Sequence, residues 1–101
     1  MNYKVRVLPE CSIDVANISI WYDIHLSGLG DEFELKFDEL VFSILQAPLQ
    51  HLIVKSSIRK AKMERFPYNI FYNIDSEMII IIGILHYKRG PKQLRKVLKR
   101  R

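Results

Sequence analysis

PYNIFYNIDSEMIIIIGILHY, residues 67–87, decides how this chain folds. In its first half Tyr68, Ile70, Tyr72 and Ile74 alternate with Asn69, Phe71 and Asn73, the two-residue period of a strand with distinct faces. Asp75 and Ser76 are turn formers. The chain then returns through Met78 to Leu85 as an unbroken apolar run containing four consecutive isoleucines. Such β-branched density favours a strand over a helix, and apolarity on both sides requires that both faces be covered. The run is far too short to span a bilayer. It reads as an internal strand of a small sheet.

Working outward, IRKAKMERF (58–66) puts Lys60, Lys62 and Glu64 on one face of a strand and Arg59, Ala61, Met63 and Arg65 on the other. Residues 49–57 read as a loop or irregular crossing. Upstream the period becomes helical. From Glu10 to about Leu26 the stripe is Cys11, Val15, Ile18 and Tyr22, broadened by Ala16 and Ile20. Ser27, Gly28 and Gly30 make a turn. A second helix then aligns Leu29, Phe33, Phe37, Leu40, Val41, Ile44 and Leu45 against a face of Asp31, Glu32, Glu34, Asp38 and Glu39, and Pro48 marks its end. Residues 2–8 alternate Tyr3, Val5 and Val7 with Lys4 and Arg6, a half-exposed strand closed by Pro9. Beyond Gly90-Pro91, KQLRKVLKRR forms either a short helix with Leu94, Val97 and Leu98 on one side or a frayed basic tail.

The order is β-α-α-β-β-β in a single domain over residues 1–101. The expected class is α+β: a small antiparallel sheet with an N-terminal helical hairpin packed on one face. The other face is left partly open, with Lys60 and Lys62 available on it.

The net charge of +5 is unevenly distributed. From Glu10 to Glu39 there are eight acids and one lysine, a balance of −7. From Lys55 to Arg65 five cations and one acid give +4, and from His86 to Arg101 eight cations and no acid give +8. Segregation of this kind marks a polarised surface with an electrostatic partner. The N-terminal stretch lacks the apolar core of a signal peptide, and the reading is a cytoplasmic protein. Cys11 stands alone, which excludes an internal disulfide and a cysteine-based zinc site. His25, His51 and His86 lie on different elements with no carboxylate at ligand spacing, so neither a metal nor another cofactor is expected. The four glycines form no phosphate-cradling loop.

What remains is cationic. Lys60 and Lys62 on one strand, Arg65 at its end, and His86, Lys88 and Arg89 after the last strand suit a phosphate backbone bound by counterion release. Tyr68, Tyr72 and Tyr87 are interleaved aromatics for stacking on bases. Were the site to cleave RNA, positive charge would stabilise the pentavalent phosphorane, with a lysine or His86 as proton carrier.

The string RKAKMERFPYNIFYNID (59–75), followed by LHYKRGP (85–91), resembles the RelE/ParE superfamily of bacterial toxins from type II toxin–antitoxin pairs. The resemblance covers essentially the whole chain. It implies a partner antitoxin that wraps the toxin with an acidic or amphipathic segment, and a target in translation or DNA topology. Messenger-RNA-cleaving members carry two lysines spaced by one, matched by Lys60 and Lys62, and an arginine after the last strand, matched by Arg89. They also place an arginine where this chain has Asn69, and a tyrosine beyond the C-terminal arginine where this chain has none. The H-x-x-R-x-P ending, His86 to Pro91, is more similar to the ParE branch, whose members inhibit DNA gyrase by contact. The resemblance therefore implies a gyrase inhibitor first, a ribosome-dependent mRNA interferase second, and a non-toxic binding module third. Lys60, Lys62, Arg89 and His86 would be catalytic in the second case only. Arg59, Arg65, Tyr68, Tyr87, Lys88, Lys92 and Arg95 would touch target or antitoxin.

Overall fold

The isoleucine run is held by partners on four sides in the computed structural model, which describes residues 2–100. Its strand, β5 (Met78–His86), pairs on one edge with β4 (Tyr68–Asp75) and on the other with β1 (Lys4–Val7). Helices α1 (Pro9–His25) and α2 (Leu29–Gln46) cover one face, and α3 (Pro91–Leu98) lies on the other. With β2 (Leu52–Lys55) and β3 (Ile58–Lys62) the sheet has five strands in the order β1-β5-β4-β3-β2.

Two expectations are corrected here. The sheet is mixed rather than wholly antiparallel: β1 runs parallel to β5 in the register Lys4↔Met78 to Val7↔Ile81. A parallel neighbour requires a long crossover, and all the intervening chain supplies it. Residues 49–57 also contain a strand. Leu52, Ile53 and Val54 are exposed at the sheet edge and show no alternation, so period analysis passes over them. Side chains from beneath fix the chain leading into that strand. The Tyr72 hydroxyl donates to the Pro48 carbonyl at 2.6 Å, and Arg59 donates to the carbonyls of His51 at 2.6 Å and Leu49 at 3.1 Å.

The β4–β5 hairpin turns through two residues, with Ser76 in the left-handed region at φ 56°. Halfway along, Phe71 pairs with Gly83 but Tyr72 pairs with Ile81, leaving Ile82 as an extra residue in a β-bulge. The bulge turns Ile82 and Gly83 toward the same face. Before it Ile79 and Ile81 enter the hairpin-side core, and after it Ile84 rejoins them. Ile80, Ile82 and Leu85 enter the α3-side core with Leu8, Ile58, Phe71 and Val97. Gly83 makes room for α3: a Cβ there would lie inside contact distance of Val97 Cγ1.

Proline at the first turn suits α1, because the missing N–H is one a helix start leaves unpaired anyway. Cys11 and Val15 bury against Phe33, Phe37 and Ile44 of α2 and the sheet. Two polar clamps hold the helices together. Ser19 Oγ donates to Glu34 at 2.5 Å, and the Gly30 N–H donates to Asp23 at 2.7 Å. Gly30 is needed for this approach, since a Cβ would collide with the Ser19 carbonyl. Ile20 and Ala16 do not broaden the buried stripe as the sequence had indicated; both face solvent. At the far end of the chain, α3 settles the alternative of helix or tail, and Arg100 beyond it pairs with Asp14 of α1 at 3.2 Å.

Two predictions arise from this packing. Gly83→Ala forces Val97 off the sheet, and overpacking of this kind costs about 1–3 kcal/mol; urea denaturation measures it, and Val97→Ala in the same chain restores most of the loss. The second concerns alkaline pH. Burial raises the Tyr72 phenol from its ordinary 10.0 to about 12, against a smaller lowering by Arg59. Burial, then Tyr22, does the same to Tyr68. Raised folded-state values mean the folded chain keeps protons that the unfolded chain releases. The resulting stability is complete below pH 10 and is lost as pH rises from 10 toward about 12. Tyr72→Phe flattens part of that decline in a pH series of thermal melts. It also costs about 1–2 kcal/mol at neutral pH, by leaving the Pro48 carbonyl unpaired.

Candidate functional site

Ala61 and Met63 fill the core under the helical hairpin, so Lys60 and Lys62, one residue out of phase, emerge on the opposite face. Across the sheet Lys60 stands opposite Phe71, and Lys62 opposite Asn69. Asn69 in turn pairs with Leu85, and Tyr68 with His86. The chain leaving β5 folds back toward this face. The Tyr87 N–H donates to the Pro67 carbonyl at 2.9 Å, and its hydroxyl donates to the Met63 carbonyl at 3.2 Å. The ring is thereby laid beside β3, with Lys62 Nζ 5.6 Å from its centroid. The Arg89 N–H donates to the His86 carbonyl at 3.0 Å, a turn that brings Arg89 back over the sheet.

Lys60, Asn69, Phe71, Tyr87, Arg89 and Leu94 border a cavity of about 170 Å³. His86 lines it as well. The floor is apolar and the rim cationic, an arrangement that attracts an anion but leaves it in contact with water. On the other side of the His86–Arg89 turn a wider cleft of about 640 Å³ runs between α1, the outer edge of β5 and α3. Asp14, Asn17, Tyr68, Lys88 and Gln93 line it, and His86 and Arg89 face both spaces. Farther along α3, Arg95 joins Lys55 and Lys99 around a third depression of about 240 Å³. Lys92 is exposed on the first turn of α3.

The structure thus brings together Lys60, His86, Tyr87 and Arg89, with Lys88 adjoining, while Lys62 joins them through the Tyr87 ring and also borders a depression with Lys36, Glu39 and Ser43 of α2. Other residues singled out in the sequence are engaged elsewhere. Arg59 points to the hairpin side and is committed to the Leu49 and His51 carbonyls. Arg65, in the left-handed region at φ 71°, pairs with Glu32 at 2.9 Å and lies over the Phe66 ring. Tyr68 is half-buried, edge-on to Phe33 and to His86. Tyr72 is fully buried and cannot stack on a base. Lys55 and Lys99 share the third depression with Arg95, a meeting the charge count does not show because Lys55 lies on β2, whose strand lacks alternation.

His86 has a fixed local role. Its Nδ1 accepts the Lys88 N–H at 3.0 Å. The neutral ring therefore carries its proton on Nε2 and offers no lone pair there. Cys11 is no nucleophile either, because burial, followed by the Asp14 charge, pushes its thiol up to about 12. Among the described residues no group of three His, Cys, Asp or Glu side chains could hold a metal ion, and no helix is long and apolar enough to cross a membrane.

No protein-family model matches the chain, and no curated protein matches it in sequence. Solved structures do match in shape. A chain of the chromosomal ParDE toxin–antitoxin system from P. aeruginosa superposes with a TM-score of 0.76 at 16% identity, covering 84% of this chain and 96% of that one. A mutant of the E. coli toxin RelE, in the free state, superposes with a TM-score of 0.67 at 15% identity, covering 99% of this chain and 98% of that one. The chain has the RelE/ParE fold.

Proposed function

We propose that this protein is the toxin of a type II toxin–antitoxin pair and that it arrests growth by gripping DNA gyrase through protein contact. Support comes from the fold together with one arrangement: the cations of β3 and of the turn after β5 meet on the sheet face opposite the helical hairpin. A cluster open to solvent is suited to holding a surface. Proton transfer demands more, and His86 spends Nδ1 on the Lys88 N–H. The antitoxin, on this reading, lays an acidic or amphipathic segment over Lys60, Lys62, Tyr87 and Arg89 and shields them from the target. Charged surfaces of opposite sign also speed the encounter.

One observation favours a second reading, ribosome-dependent cleavage of mRNA. Lys60 and Arg89 flank a single cavity with Tyr87 at its rim, which suits one phosphate and a stacked base. In that case Lys60, Lys62 and Arg89 would stabilise the transition-state charge.

Purified protein added to a gyrase supercoiling assay separates the two. Contact inhibition predicts loss of supercoiling at micromolar protein, with Arg89→Ala about tenfold or more weaker, the size of effect that loss of a buried interfacial arginine produces. Unchanged supercoiling alongside growth arrest removes the gyrase reading. Codon-phased cuts in cellular mRNA, mapped by primer extension after induction, would then establish the second.

A further inference from the structure

The core accounts for only one side of each helix in the hairpin. Ile13, Ile20 and Ile24 of α1, with Leu35 and Phe42 of α2, lie outside it and are 56–76% exposed. Their spacing is regular. Ile13 and Ile20 are seven residues apart, as are Leu35 and Phe42, which is about two helical turns. Each set therefore forms a stripe, opposite Cys11 on α1 and opposite Phe33 on α2, pointing away from the sheet. The Ser19–Glu34 and Asp23–Gly30 clamps hold the two stripes side by side.

Acids are set into this crown. On the same line of α2, Asp31 precedes Leu35 and Asp38 lies between Leu35 and Phe42; both are exposed, and neither forms an ion pair among the described residues. The one cation of the hairpin, Lys36, is paired with Glu39 at 3.2 Å. We propose that the crown is a docking surface for a cationic amphipathic α-helix of another protein. Paired heptad stripes present the seam into which a third helix fits its own apolar residues. The charge selects the sign of that helix. A second copy placed crown to crown would set Asp31 and Asp38 against like charges. The cationic helix of a second copy is also unsuitable, because the apolar side of α3 already packs on its own sheet through Leu94, Val97 and Leu98. Opposite poles of one small domain thus accept partners of opposite charge.

Trp21, the sole tryptophan, lies on α1 beside the crown and is itself half-exposed. Its fluorescence reports docking on the full chain. The probes are synthetic helices of about three heptads with identical leucine seams, flanked in one by lysine and in the other by glutamate. The lysine peptide is expected to shift Trp21 emission to the blue and to bind about tenfold tighter than the glutamate peptide, less so as salt rises. Asp31→Lys with Asp38→Lys should reverse that order. Ile20→Ser with Leu35→Ser should abolish binding while circular dichroism stays unchanged, since neither side chain is in the core. The proposal is overturned if the glutamate peptide binds as tightly, if the serine variant binds undiminished, or if sedimentation shows the free protein to be a dimer that the same serine substitutions dissociate.

Discussion

Ile79, Ile81 and Ile84 face a layer of two helices, while Ile80, Ile82 and Leu85 face a third helix, so β5 is stable only where both of its faces are roofed. That demand shapes the molecule. It places β5 inside the sheet, with β1 on one side and β4 on the other. It also draws in a C-terminal segment so rich in lysine and arginine that, in isolation, it would stay in water. Val97 enters the space that Gly83 leaves open, and Arg100 secures the end of α3 to Asp14. Apolar strand and basic tail are neighbours because the strand needs the tail's apolar side.

Since α3 is only eight residues long, it roofs part of the second face and leaves the rest open. Lys60, Lys62, Tyr87 and Arg89 occupy the open part. Charge separation follows from the same economy of space. The hairpin carries eight of the eleven acids, while the last sixteen residues carry eight of the sixteen cations and β3 adds Lys60 and Lys62, so the molecule has two poles. Repulsion between the cations is tolerated because they are exposed and screened. A polyanion or an acidic peptide would relieve it. The hairpin crown, with Asp31 and Asp38 on the line of Leu35 and Phe42, carries the opposite sign.

Much of this was legible in the residues. Alternation in Tyr68–Asp75, the isoleucine run and the two helical stripes identify three strands and a hairpin, and they put Lys60 and Lys62 on the face away from Ala61 and Met63. The remainder depends on contacts distant in sequence. Nothing local to Lys4–Val7 says that it will lie parallel to β5. A bulge within a string of isoleucines has no marker except the glycine that follows it. Edge strand β2 lacks alternation because neither of its faces is buried. Ile20 reads as core by its apolarity alone, and its place on α1 opposite Cys11 turns it outward. Likewise Arg59, Arg65 and Tyr72 resemble binding groups until the Leu49 and His51 carbonyls, Glu32 and the Pro48 carbonyl are seen to take them.

On the proposed toxin reading, the cations gathered between β3 and the turn after β5 are the part of the molecule that arrests growth. Growth of bacteria in which the chain is induced without any antitoxin tests this directly. The account predicts arrest by the natural sequence and normal growth with Lys60→Ala and Arg89→Ala together, both proteins accumulating in folded form. Arrest by the double variant equal to that of the natural chain, or unimpeded growth with the natural chain abundant and folded, would contradict it.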